Sequence, residues 1–225
     1  MTVGVGKSRG APVHQANPDA PSGIGKASFA WTGWSTGMFD FNNDGLKDIF
    51  VASGHVMDNA ELSSSRQSRQ PNIVFVNKGS GKFEAQLLPG AGMHRGAAFG
   101  DFDRDGRMDA VVTRLNQEPF VLRNTTASGN WIAFRLIGHR SNRDGIGAGL
   151  HVISASVEQW NRVTTSVGYG CSSDRVVHFG LGKDRNVRSV EIRWPSGIIQ
   201  TVRDLPSNRY VTIEENPNLV EYNQL

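Results

Sequence analysis

The chain has 225 residues, 38% of them hydrophobic, enough to bury the core of one large or two modest domains. Its 24 Lys and Arg against 21 Asp and Glu give a formal charge of +3, yet no basic run interleaved with aromatics offers a groove for phosphates, so nucleic acid is set aside as a partner. The single cysteine, Cys171, excludes an internal disulfide, a zinc ribbon and a redox pair, and no apolar run approaches the roughly 18 residues of a membrane helix.

The 26 glycines, and short Val, Ile, Phe and Thr runs set between Gly, Asn, Asp and Ser, predict an all-β fold. Residues 1–30 lack periodicity and read as an irregular N-terminal segment. Despite Lys7 and Arg9 they hold no apolar stretch of a signal peptide. The stretch "GVGKS" (4–8) is not a phosphate loop, because GxxxxGKS needs Gly where Met1 stands and no strand precedes it.

Residues 31–127 contain a repeat. "GWSTGMFDFNNDGLKDIFVASG" (33–54) aligns with "HRGAAFGDFDRDGRMDAVVTRL" (94–115), matching Asp40 with Asp101, Asp44 with Asp105, Gly45 with Gly106 and Asp48 with Asp109. A β-rich run follows each acidic loop (49–52 and 110–113), and then a strand ending in Asn, "NIVFVN" (72–77) or "PFVLRN" (119–124). Each unit is therefore expected to be strand, acidic loop, strand, turn, strand, like a propeller blade. "MDNAELSSSRQSRQP" (57–71) is expected to be an extended surface loop. Two blades cannot close a ring, so either the chain is expected to be the tail of a longer protein or another domain or a partner covers the remaining surface, and an uncovered blade face makes self-association a further expectation.

Carboxylates as dense as those of "DFDRDGRMD" (101–109) repel one another unless a cation sits among them, and alternating acids before a glycine suit a hard ion that takes six to eight oxygens. Calcium is the expected ion. The loops are not EF-hands: position 12 is Val51 in one and Val112 in the other, where an EF-hand has Glu. Position 9 closes the set instead, giving as ligands Asp40, Asn42, Asp44, the carbonyl of Leu46 and Asp48, and then Asp101, Asp103, Asp105, the carbonyl of Arg107 and Asp109. Asp, Asn and Gly also make turns without metal, but a five-position pattern occurring twice argues against coincidence. With four carboxylates against three, the second loop is expected to bind more tightly, a difference tempered by Lys47, Arg104 and Arg107.

From residue 128 the acidic loop does not return. Seven alternating segments, "WIAFRLIG", "GLHVISA", "RVTTSVG", "RVVHFGLG", "VRSVEIRW", "GIIQTVRD" and "RYVTIEE", predict a β-sandwich over 128–225, the boundary falling near 125–130. Asn124 opens a glycosylation triplet with Thr125 and Thr126, a pattern that arises often by chance. Ser172, Ser173, Asp174 and His178 invite a catalytic-triad reading, but no GxSxG elbow surrounds either serine, and His178 in an alternating strand reads as a packing and hydrogen-bonding residue. Gly145, Gly147 and Gly149 fit a tight β connection, and Trp194 before Pro195 and Gly197 fits a hairpin whose indole closes one end of the core.

The loops with "FGDFDRDG" and "VFVNKGSGKFE" resemble FG-GAP or VCBS repeats, the calcium-loop blades of integrin-type propellers. "SNRDGIGA" (141–148), "GYGCSSD" (168–174), "VHFGLG" (177–182) and "WPSG" (194–197), in that order, resemble the ASPIC/UnbV domain. Together they resemble the cartilage acidic protein family and its bacterial relatives, whose members typically carry more blades and are commonly exported. The resemblance implies calcium-dependent structure and binding, an extracellular or periplasmic setting, and no catalytic residues. The expected function is a non-enzymatic binding or adhesion module for a protein or glycan. The rival reading is a fragment of a metal-dependent, carbohydrate-active propeller enzyme of lyase or dehydratase type, in which the metal keeps an open coordination position for substrate.

Overall fold

In the computed structural model, residues 22–62 and 65–218 are described. They form a nearly all-β protein, and no helix among them is long and apolar enough to cross a membrane. Most of the segment expected to be irregular, residues 1–21, lies outside the described residues; its end holds a short helix, α1 (Ile24–Ser28).

The first unit is a four-stranded antiparallel sheet of β1 (Gly33–Phe39), β2 (Asp48–Ser53), β3 (Ile73–Asn77) and β4 (Phe83–Leu87), neighbours in chain order. The second is β5 (His94–Gly100), β6 (Asp109–Arg114) and β7 (Gln117–Leu122), built the same way. The acidic loops join β1 to β2 and β5 to β6. The first unit extends the expected pattern by one strand, β4. Both blades share one core, in which Phe50, Ala52, Ala97, Phe99, Met108, Ala110 and Val112 pack together. The Phe50 and Phe99 rings meet edge to face at 5.3 Å.

Most described residues of segment 57–71 are exposed, as expected of a surface loop, but the segment is not simply extended. Its polar run has no periodicity to read, yet it turns through a 3-10 helix at Ala60–Leu62 and tucks Ala60, Ser68 and Gln70 inside. Gln70 Oε1 accepts from the Thr32 N–H at 2.7 Å, and its backbone pairs with Gly92. A buried polar side chain with its partners supplied is stable there.

The rest of the chain is two sheets on one core. β10 (Glu158–Arg162), β9 (Gly149–Ile153), β12 (Asn186–Arg193) and β13 (Ile199–Pro206) form one, in that spatial order; β11 (Val177–Gly182), β8 (Asn130–Ile137) and β14 (Arg209–Glu214) form the other, with β14 parallel to β8. Ile132, Phe134, Leu150, Val152, Phe179, Val190 and Ile192 lie between them. The segment "RVTTSVG" is not a strand. The third strand is β10, which starts four residues earlier, and the chain after Arg162 leaves the sheet as a loop that reaches the blades. Its β-branched residues suggested a strand, but it bonds instead to the connection before β9 and to its own return: Val163 pairs with Ala148 and Gly147, and the Thr165 carbonyl accepts from the Ser173 N–H.

At the far end of the sandwich Glu215 is 1% exposed. Its carboxylate accepts from the N–H groups of His139, Arg140 and Ser141, each at 2.7 Å, and from the hydroxyls of Ser141 and Ser196 at 2.9 and 2.5 Å. Two of the quoted motifs, "SNRDGIGA" and "WPSG", thus meet on one buried acid.

Candidate functional site

The two acidic loops have the same backbone. In each the fourth residue is left-handed, Asn43 (φ 57°) and Arg104 (φ 61°), and so is the glycine at position six, Gly45 (φ 93°) and Gly106 (φ 84°). Asp40 Oδ1 and Oδ2 accept from the N–H groups of Asp44 and Gly45 at 3.1 and 2.7 Å, and Asp101 accepts from Asp105 and Gly106 at the same two distances. Asp48 accepts from Phe41 (3.0 Å) and Asn77 (2.8 Å), as Asp109 does from Phe102 (3.0 Å) and Asn124 (2.7 Å). The closing acid therefore ties the loop to the end of the third strand. The recurring Asn at that strand end was the sequence signal for this partner.

The side chains differ between the loops. In the second, carboxylate oxygens of Asp101, Asp103 and Asp109 lie within 4.8 Å of one another. Oxygens sharing one calcium at about 2.4 Å can be up to about 5 Å apart, so this donor set fits a hard cation. Asp105 stands apart: Arg107 and Arg123 pair with its carboxylate, and Arg123 also reaches Asp103 Oδ2 at 2.5 Å. Burial works in the opposite direction, but Arg123 holds the Asp103 carboxyl below the ordinary range. Arg123 is a site residue that sequence reading missed, since it enters from just beyond the end of β7 rather than from the loop.

The first loop brings no such triad together among the described residues. Asn42 occupies the third position, donating to Asp44 Oδ2 at 2.9 Å and accepting from the Asp44 N–H at 3.1 Å. Leu46 and Arg107, whose carbonyls were expected ligands, hold matching places, their N–H groups donating to Asp44 and Asp105 at 2.8 and 2.9 Å. Burial pushes the Asp40 carboxyl up to about 7; N–H bonds pull it back, and Asp44 and Asp48 push it further. Burial raises Asp48 as well and lowers Lys47. The first loop is thus an under-compensated buried acid cluster, the second an arginine-buffered one.

Both loops are also the joint with the sandwich. Along β11 the odd residues Val177, Phe179 and Leu181 enter the sandwich core, while His178, Gly180 and Gly182 face the loops. His178 Nε2 donates to the Gly106 carbonyl at 3.0 Å, which also accepts from Asn43 Nδ2 at 2.9 Å. Burial holds this imidazole neutral, its pKa lowered to about 4. At Gly180 a Cβ would stand 1.9 Å from Asp40 Oδ2 and 2.6 Å from the Asn43 Cα, so the loop's approach requires glycine. The Gly182 and Gly129 N–H groups donate to the carbonyls of Asn43 and Asn42 at 2.8 and 3.0 Å. From β14 the Tyr210 hydroxyl donates to Asp101 Oδ2 at 2.7 Å. Burial, followed by that bond, raises the phenol's pKa.

The "GYGCSSD" loop docks on the inner strands of both blades. The Tyr169 N–H donates to Ser35 Oγ at 3.1 Å, Ser173 Oγ accepts from the Phe99 N–H at 3.1 Å, and the Asp174 N–H donates to the Phe99 carbonyl at 3.0 Å. His178 and Ser173 are each engaged with a blade, not with one another. The Asn124 amide donates to the Phe41 carbonyl at 2.7 Å, which ties the glycosylation triplet to the first loop.

Residues 40–112 match the family described as FG-GAP-like repeat, and residues 138–219 match the family described as ASPIC and UnbV. Two stretches of the chain are thus similar to FG-GAP-like repeats and to an ASPIC/UnbV domain. It is 29% identical to cartilage acidic protein 1 of Homo sapiens over 70% of this chain and 24% of the relative, and 29% identical to that of Mus musculus over 70% and 25%. The Xenopus tropicalis protein is 28% identical over 72% and 25%. The chain therefore spans about a quarter of the length of the curated relatives it matches. Their shared name says acidic, whereas this chain carries a net +3.

Proposed function

We propose that this protein is a calcium-stabilised, non-enzymatic binding module that works outside the cytoplasm. The observation that supports it is the convergence of Asp101, Asp103 and Asp109 in a turn whose backbone is duplicated at Asp40–Asp48. An ion held there by these acids and the Arg107 carbonyl, with Asp105 joining once released from Arg107 and Arg123, would take over the charge compensation that the arginines now give in part. The chain's own atoms do the rest: Asp109 joins the loop to β7, while Asp101 and Gly106 hold Tyr210 and His178 of the sandwich. Asp40, Asn42, Asp44, the Leu46 carbonyl and Asp48 form the second, weaker site. Metal binding energy would then add to folding energy and to the docking of the two parts. The ligand is a protein or glycan outside the cell, in keeping with the relatives' name.

Titration with calcium to about 5 mM, above the 10⁻⁴ to 10⁻³ M typical of extracellular modules, tests the reading. The melting temperature rises in the wild type, and Asp103→Asn weakens the response by about tenfold or more. Asp103 is the exposed member of the triad, so its amide leaves the fold intact. Absence of heat and of any melting shift in the wild type refutes the reading.

A further inference from the structure

The outer face of the β10-β9-β12-β13 sheet contains an aromatic platform that neither the loops nor the joint uses. Strand register places its side chains in rows: Trp160, His151, Glu191 and Thr201 in one, and Arg162, Gly149, Arg193 and Ile199 in the next. Trp160 is 62% exposed, although its indole is the largest apolar surface on this face. It is also rigidly held. The His151 imidazole stacks on it at 4.3 Å and 7°, and Glu158 Oε1 fixes that imidazole through Nε2 at 2.9 Å. One face of the indole is therefore covered and the other is open to solvent. An oriented, pre-ordered ring of this kind loses little entropy on binding.

The adjoining row supplies charge. Arg193 is taken by Glu191 at 2.9 Å, whereas Arg162, two residues along the same strand from Trp160, has no ion-pair partner among the described residues. Beside it Gly149 leaves a gap, with no atom within 4 Å of where a Cβ would stand. A flat hydrophobic ring next to one unpaired guanidinium and a notch matches a pyranose that bears a carboxylate. Its C–H face lies on the indole, and its acid takes the planar fork of Arg162. Glu158 and Glu191 keep the surplus charge small, which suits one carboxylate per sugar and disfavours a polysulfated chain.

We propose that this sheet face binds uronate-bearing saccharides, with Trp160 as the stacking platform, Arg162 as the carboxylate anchor, and His151 with Glu158 as the pair that orients the indole. The proposal deepens the binding-module reading and rests on it, but it does not need the calcium loops. Isothermal titration of the full chain with an oligogalacturonate, calcium present throughout, gives a saturable heat. The same oligosaccharide with its carboxylates reduced binds at least about tenfold more weakly. Trp160→Ala abolishes binding and Trp160→Phe retains part of it. Arg162→Gln removes the preference for acid over reduced sugar. Both sites are exposed, so melting temperatures and the calcium response stay at wild-type values, which separates failure here from failure of the metal reading. No heat with oligogalacturonate, undiminished binding by Trp160→Ala, equal affinity for both sugars, or preference for dextran sulfate or a polyglutamate peptide overturns the proposal.

Discussion

Gly106 shows how tightly single positions are constrained at the joint. Its φ of 84° is already costly for any side chain, and a Cβ there would lie 1.9 Å from the Trp131 indole. Gly106→Ala is expected to cost about 3 kcal/mol or more, seen as a lower denaturant midpoint. Gly170, at φ 61° with nothing within 4 Å, isolates the backbone part, and Gly170→Ala should cost only about 1 kcal/mol. Glu215 gives the pH dependence. Burial alone would raise its pKa, but bonds from Ser141, Ser196 and His139 outweigh it and hold the value at about 2, below the ordinary 4.5. Because the folded value is the lower one, its stabilisation is complete above the unfolded value and is lost as pH falls from 4.5 towards 2. Glu215→Gln should lower the melting temperature at pH 7 and flatten the decline of stability in that acid window.

Among the strands, β11 meets both acidic loops, through His178 at Gly106 and Gly182 at Asn43. A strand with one face in water alternates apolar and polar residues, but "VHFGLG" is buried on both faces. Its glycines look like weak points of a strand until the acidic loops are seen lying against them. β8 follows the same rule: Ile132 and Phe134 face the core, while Ala133 and Trp131 lie buried on the other side. β14 adds the Tyr210 bond to Asp101. Tyr210→Phe removes a bond to a charged acceptor and should cost about 2 kcal/mol. Faster limited proteolysis near residues 125–130 would show that the loss falls on the joint. The repeat pattern, the acidic loops and most strands were legible in the sequence because each has a local signature. The strand assigned to "RVTTSVG" was misplaced because β propensity there is outweighed by the turn it makes, in which Val163 bonds to Ala148 and Gly147 and Thr165 accepts from Ser173.

At the scale of the whole molecule, the two parts have separate cores but share a polar joint made of loops, β11, β14 and the "GYGCSSD" loop. The joint is too well hydrogen-bonded for the parts to behave as beads on a string. Calorimetry should therefore give one transition, with calorimetric and van't Hoff enthalpies equal. Two resolved transitions in the presence of calcium would contradict it. An apolar groove of about 520 Å³ remains between the blades, lined by Phe41, Phe50, Val74, Leu88, Met108 and Leu122. It corresponds to the uncovered blade surface expected from a pair of repeats.

The sequence by itself determined the all-β class, the duplicated acidic turns and the acids able to face an ion, because turn chemistry and the spacing of carboxylates act over a few residues. The tertiary structure alone decided which carboxylates converge, since that depends on Arg107 and Arg123 drawing Asp105 out of the group. It also decided what the glycines of "VHFGLG" and the polar loop at 168–174 are for. Their partners lie tens to more than a hundred residues away in the chain, and contacts over that separation leave no periodicity to read.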